Sequence, residues 1–464
     1  MHFGLLAVVL AAALLLGGGT RSGFLGDVAV QLMAVPLLIF GARNWIARMA
    51  NDKLWRTDHL FLNLAFIASI SLVFVPLARG PDEVGAFTDG NGSPLRPLFD
   101  GVSTTVPWTS GVAGSAASWA AVASAIPFFA VFLGTAHLSQ RNRAKLGMLA
   151  VALGGLSLLI GFLQVNQGVE SDLRFYAVTN PSEAVGFFAN RNHFAALLYV
   201  TLVFTAVLLA GLGGTPRQIT TLNKRHSLFL IPAAILLFAI LSGIALARSR
   251  AGMALSLVAM IGIFALYWPL ARGSGRNATV RRVLIAAAAC GMIFAIQFGM
   301  QRAMTRFEAD PFSDLRLSLS PATVALALQN LPFGTGLGSF EQTYAIAEAD
   351  PNLFSGYANR AHNDWAEFLL ETGLLGAVAG GLFLIWLAGR AVSFCKASPR
   401  DSDILVVLLS RGGCLAIVLL LIHSMVDYPL RTTALSSIFA FAAALMVPPP
   451  GSHSGRRLNS TPPC

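Results

Sequence analysis

Residues 227–247 read SLFLIPAAILLFAILSGIALA, residues 248–250 read RSR, and residues 251–270 read AGMALSLVAMIGIFALYWPL. Each flank matches the ~20 apolar residues that an α-helix needs to cross a hydrocarbon core. Backbone polar groups must be satisfied internally in hydrocarbon, so runs of this length are helical. The link between them is long enough only for a tight hairpin. Two antiparallel membrane helices joined by an arginine-bearing turn therefore set the fold class. Working outward, similar runs occupy 3–18, 28–42, 60–78, 118–138, 145–164, 193–212, 283–300, 368–388, 404–424 and 433–448. The chain is 55% hydrophobic and only 12% charged, against roughly 25% charged in soluble domains. No polar stretch is long enough to hold a soluble domain. The expected architecture is an all-α integral membrane bundle of about twelve transmembrane helices.

Orientation follows from the basic residues, which accumulate in loops on the cytoplasmic side of bacterial membranes. Most of the 32 Lys and Arg, all the lysines among them, fall in alternate loops and the C-terminal tail. Of the 22 acids only Asp52, Asp58, Asp401 and Asp403 share that side. Both termini are expected in the cytoplasm, and the outer face is acidic. The net charge of +10 is thus a topology signal and no nucleic-acid footprint. The first apolar run, followed by Gly17-Gly18-Gly19, lacks the basic n-region and A-x-A-like site of a cleaved signal peptide, so it is read as a retained span. Cys290, Cys395, Cys414 and Cys464 lie in spans or on the inner side, and no structural disulfide is expected.

Two outer loops are long. The first, 79–117, is rich in Gly, Pro, Ser and Thr and carries Trp108 as an interfacial anchor. The second, 301–362, separates the ninth and tenth spans. Within it, Ser320-Pro321 is expected to start an amphipathic helix running to Asn330. Leu331-Pro332 ends that helix, and Gly334, Gly336 and Gly338 follow before Phe340 and Tyr344. A phosphate-binding glycine loop requires a βαβ context, which is missing, so this pattern reads as a tight turn that places an aromatic pair.

Four short outer segments hold the cationic and titratable side chains. They are Asn190-Arg191-Asn192-His193, Arg248-Ser249-Arg250, Asn359 to Asp364, and His423 to Asp427 with Arg431. A single Arg at a helix end usually only snorkels to the interface. Arg248 and Arg250 stand out, because they occupy a very short loop on the face that disfavours cations, and charge near membrane depth defaults to a functional reading. The outer face has arginines and no lysine. That suits phosphate, which the planar guanidinium binds bidentately. The chemistry indicated is a lipid-linked diphosphate in the outer leaflet, with a histidine near neutral pKa as proton acceptor.

At these residues the chain resembles the O-antigen ligase and O-antigen polymerase family of membrane glycosyltransferases. The resemblance is carried by Gly186-Phe187-Phe188-Ala189-Asn190-Arg191-Asn192-His193-Phe194-Ala195, Ala247-Arg248-Ser249-Arg250-Ala251-Gly252 and Gly334-x-Gly336-x-Gly338-x-Phe340. Its most distinctive part is Ala361-His362-Asn363-Asp364 with Glu367, Glu371, Gly373 and Gly376. It covers 185–385, a catalytic region that includes loop 301–362. Residues 1–180 would form N-terminal transmembrane helices, and 386–464 C-terminal helices and a cytoplasmic tail.

The resemblance implies an inverting, metal-independent glycosyltransferase of the lipid-sugar-dependent type, without cofactor, in the bacterial inner membrane. Its donor would be an undecaprenyl-diphosphate-linked glycan. Its acceptor would be lipid A-core for a ligase, or a second lipid-linked glycan for an O-antigen or exopolysaccharide polymerase. His362 falls on the family's catalytic base. Arg191 and Arg250 match its diphosphate-contacting arginines best, with Arg248 and Arg360 as neighbours. Asp364 is assigned as N-cap or orienter of His362, and Glu371 as a buried partner for an arginine. Asn190, His193 and Asp427 support the site, and His423 is given a structural role. A twelve-helix transporter or lipid flippase is the reading from another class. Such designs show related halves and midplane charges, whereas these charges sit at the outer rim.

Overall fold

The computed structural model describes residues 2–20, 24–78, 116–212, 224–271, 311–347, 359–396 and 404–450, with isolated helical positions between 285 and 296. Among these the regular structure is entirely helical. In chain order the helices are α1 (His2–Leu16), α2 (Leu25–Asn51), α3 (Lys53–Asp58), α4 (Leu60–Ala78), α5 (Ala116–Ala136), α6 (Gln140–Gln167) and α7 (Arg191–Leu212). They continue with α8 (Lys224–Ala247), α9 (Arg250–Ala271), α10 (Pro311–Gln329), α11 (Phe340–Ala347), α12 (Asp364–Lys396) and α13 (Ile404–His423). A 3-10 turn, Pro429–Arg431, precedes α14 (Thr433–Ala444).

Among the described residues six helices (α2, α5, α6, α7, α12 and α13) are long and apolar enough to cross a membrane, and α1, α14 and parts of α4, α8, α9 and α10 are shorter apolar helices. The 283–300 run and loop 79–117 with Trp108 lie largely or wholly outside the described residues, as do parts of loop 301–362. One expectation is corrected. The amphipathic helix read from Ser320 begins at Pro311 instead, with Pro321 inside it. Proline holds a helical φ, so a helix can pass through it at the loss of one bond, and the apparent start signal is an interior position.

Helix α7 is central. Nearly every side chain from Phe194 to Val207 is buried, against α6, α8, α9 and α13. Every residue of α14 except Ser436 is buried as well. Helix α2 is peripheral, and its two faces show why. Val30, Ala34, Leu37, Gly41 and Trp45 turn inward, while Leu25, Leu32, Ile39 and Ile46 recur every seventh residue and are more than half exposed. A helix that is apolar all round fits a hydrocarbon surround.

The starts of α7, α9 and α12 and the ends of α8 and α13 share one end of the bundle, and the candidate site lies there. The opposite end is tied by two buried arginines. Arg143 donates to the carbonyls of Val447 (2.6 Å), Ala136 (2.8 Å) and Leu138 (3.2 Å), and Arg390 to that of Met446 (2.9 Å). Both satisfy carbonyls that helix ends leave without a partner. Beside them, Trp386 donates to Nδ1 of the buried His59 at 3.0 Å. Burial, with Arg390 and Arg48 nearby, pushes the His59 pKa down to about 3 and keeps the ring neutral.

Candidate active site

The start of α7 is fixed by a cap and a close approach. The Asn190 side-chain oxygen accepts from the Asn192 N–H at 2.8 Å, which satisfies a first-turn donor. The Ala189 N–H donates to the Gly18 carbonyl at 3.0 Å, and a Cβ on Gly18 would lie 2.1 Å from the Phe187 oxygen. The glycine run after α1 is therefore a packing point under the site. Next along the chain, the Arg191 N–H is held by Asn180 Oδ1 and its Nη1 by Glu183 Oε1, each at 2.9 Å. Glu183 is buried on the loop before α7.

Arg248 Nη1 lies 3.8 Å from the same Glu183 oxygen. It is the residue after the last turn of α8 and has φ +50°, a left-handed position usually given to glycine. That conformation costs a side-chain-bearing residue about 1 kcal/mol. Ser249 then caps α9 through its Oγ and the Gly252 N–H at 3.0 Å. Arg250, the first residue of α9, keeps an exposed side chain. Of the hairpin's two arginines, Arg248 is the one brought to the carboxylate that holds Arg191.

His362 is the other non-glycine residue with positive φ (+51°) among the described residues. Such strain persists only where surrounding structure over-determines it, and it concentrates at functional sites. Its Nδ1 lies 3.0 Å from Asp427 Oδ1, and the other Asp427 oxygen accepts from Asn192 Nδ2. A carboxylate only accepts, so Nδ1 carries the proton and the basic lone pair is on Nε2. The Tyr428 ring meets His193 and His362 edge-on, each with centroids 4.9 Å apart. His423 bonds the Tyr199 hydroxyl at 3.0 Å, deeper between α13 and α7.

The roles expected of Asp364 belong to its neighbours. Asn363 caps α12, its Oδ1 accepting from the N–H groups of Trp365 and Ala366 at 3.1 Å, and Asp427 is the residue that orients His362. Asp364 Oδ2 instead accepts from Ser424 Oγ at 2.7 Å and the Leu430 N–H at 3.1 Å. It thereby staples the turn that carries Asp427. Sequence adjacency suggested Asp364. The turn from α13 supplies the nearer acid.

Below the dyad, Arg431 meets three carboxylates: Glu371 at 2.8 Å, Glu367 at 3.5 Å and Asp364 at 3.7 Å. Arg360 donates to Glu367 at 2.9 Å. Burial opposes the Arg431 charge, yet Glu367, Glu371 and Asp364 raise its pKa above the ordinary arginine value. The glycine loop supports Glu371. Helix α12 breaks at Gly373, φ +57°, where the loop's backbone crosses so closely that a Cβ would lie 2.3 Å from the Pro332 oxygen. The bonds interrupted there are replaced from the loop: Leu374 N–H to Pro332 O (2.7 Å), Thr335 N–H to Leu370 O (2.8 Å) and Gly336 N–H to Glu371 O (2.9 Å). Phe340 and Tyr344 then stack, with centroids 5.5 Å apart.

Sequence reasoning gave no role to Glu183, Arg431 or Tyr428. For Arg431 a signal existed, because Asp364, Glu367 and Glu371 are spaced to share one helix face and demand a cation. Glu183 gave none, since its partners come from two other elements.

A bundle of long apolar helices whose ion pairs, among the described residues, gather at one end is a multi-pass membrane protein. Residues 234–380, about a third of the chain, match the O-antigen ligase family model. The match includes Arg248, Arg360, His362 and the α12 acids. Glu183, Arg191, Asp427 and Arg431 lie outside it and join the site through the fold. No curated protein matches the chain.

Proposed function

We propose that the protein transfers a glycan from an undecaprenyl-diphosphate-linked donor to an acceptor hydroxyl at the periplasmic face of the inner membrane, as an O-antigen ligase acting on lipid A-core. The observation that carries this reading is the strained His362 bonded through Nδ1 to buried Asp427, whose other oxygen binds the residue next to Arg191.

In this mechanism His362 Nε2 takes the proton of the acceptor hydroxyl as that oxygen attacks the anomeric carbon. Asp427 stabilises the imidazolium that forms. The bond to the lipid diphosphate breaks on the opposite side, which inverts the centre. Arg191 and Arg248 meet the charge developing on the leaving group, with Arg250 at the rim. Fixed donors aimed at developing charge need no reorganisation during the step. The leaving-group charge is met by guanidiniums, so EDTA should leave transfer intact.

The topology belongs to the same proposal: twelve spans with both termini cytoplasmic, supported by the distribution of Lys and Arg. A polymerase would use the same donor site and base with a second lipid-linked glycan as acceptor. A deletion strain separates the two, since free lipid-linked polymer accumulates without a ligase and single repeat units without a polymerase. The direct test is His362→Ala. Transfer should fall by ~100- to 10,000-fold while membrane insertion stays normal. Near-normal transfer would sink the base assignment.

A further inference from the structure

Glu183 gathers more positive charge than Arg191 and Arg248 alone. Arg174, on the loop after α6, donates from Nη1 to the carbonyls of Asn180 (2.8 Å) and Glu183 (3.0 Å). Those are the same two residues that hold Arg191, through Asn180 Oδ1 and Glu183 Oε1. Shared anchors make the guanidiniums of Arg174 and Arg191 neighbours, and Arg248 approaches from the α8–α9 hairpin. Two guanidiniums on the Glu183 carboxylate and a third on its backbone carbonyl make this a cation-rich cluster.

The remaining edge of Arg174 is the informative one. Its Nε and Nη2 are shielded from solvent and have no hydrogen-bond partner among the described residues. Buried donors are nearly always satisfied, and an exception calls for an explanation such as a bound ion or ligand. Nε and Nη2 form the parallel fork that binds a phosphate bidentately. Burial also lowers the Arg174 pKa despite the opposing charge of Glu183, so an added anion would stabilise the cation.

We propose that Arg174 is a third diphosphate-binding residue, its Nε–Nη2 edge completing with Arg191 and Arg248 an anion site built around Glu183. This deepens the function proposed above and rests on it. The ligand class is a diphosphate, whose oxygens suit the open Nε–Nη2 fork of Arg174. Glu183 holds the cations together in the absence of ligand, and its buried position keeps them from collapsing onto solvent-exposed acids.

The test is titration of inorganic diphosphate into the purified full-length protein in detergent, together with the donor KM and kcat of transfer. Arg174→Gln keeps a donor for the loop carbonyls and removes the fork, and Arg174→Lys keeps the charge. Both should bind diphosphate about tenfold or more weakly, the scale of losing a charge-assisted hydrogen bond. The donor KM should rise more than kcat falls, with the melting temperature unchanged, a pattern that a merely structural role would not produce. Wild-type affinity in both variants, with binding lost in Arg191→Ala, overturns the role of Arg174 and leaves the leaving-group site standing. If the wild type binds no diphosphate and Arg191→Ala transfers normally, the leaving-group reading itself falls.

Discussion

Two ionic clusters at the same end of the bundle are built with opposite stoichiometry. Around Glu183 two guanidiniums share one carboxylate and a third, that of Arg174, holds the backbone carbonyl of the same residue. Around Arg431 three carboxylates share one guanidinium, with Arg360 attached to Glu367. The first set is the cation-rich one, where the diphosphate is proposed to bind. The second matches its cations with protein acids and ties α12, the 3-10 turn and the glycine loop together. Arginines in one site thus do different work, and the number of acids around each tells which.

The largest expected effect breaks the acid-rich cluster. Arg431→Ala would leave three buried carboxylates without their shared cation, and loss of one partner from a buried pair costs about 3–5 kcal/mol. Thermal unfolding in detergent should show a large drop in midpoint, and an unchanged midpoint would remove the strut role. Arg191→Lys probes the other cluster. It keeps the charge and loses the fork, so transfer should fall ~10-fold with little change in unfolding. Arg250→Lys should do less, because its side chain is exposed at the rim; an equal loss would move Arg250 into the leaving-group site. The smallest effect separates the clusters by screening. Going from 0.1 to 1 M salt shortens the Debye length from ~10 to ~3 Å. Diphosphate binding at the partly exposed arginine set should weaken, while the unfolding midpoint should scarcely move.

Sequence reading went furthest where the signal is local. Apolar runs marked the helices and the short RSR link marked a hairpin, whereas His362 was named only by the resemblance. Pairings formed by tertiary folding were hidden. Asp427 lies 65 residues beyond His362, and the adjacent Asp364 was the more obvious orienter until the turn after α13 was seen to deliver its own acid. The glycine pattern was read correctly as a turn, yet its partner was invisible: the break at Gly373 matters only because the loop's backbone occupies it. Between Arg248 and Arg250 the resemblance favoured Arg250, whereas the structure brings Arg248 to Glu183. A left-handed backbone at the first turns its side chain to Glu183, and that angle is set by how α8 ends.

The two left-handed side-chain-bearing residues, Arg248 and His362, also bear on how this protein could be engineered. Glycine would relieve the backbone at either position, by about 1 kcal/mol, and would delete a guanidinium or the imidazole. That relief is offset by the pairings lost, Arg248 with buried Glu183 and His362 with buried Asp427, so a selection for heat resistance alone should not enrich glycine at either position. Screens that aim to make the protein easier to purify should hold both codons fixed.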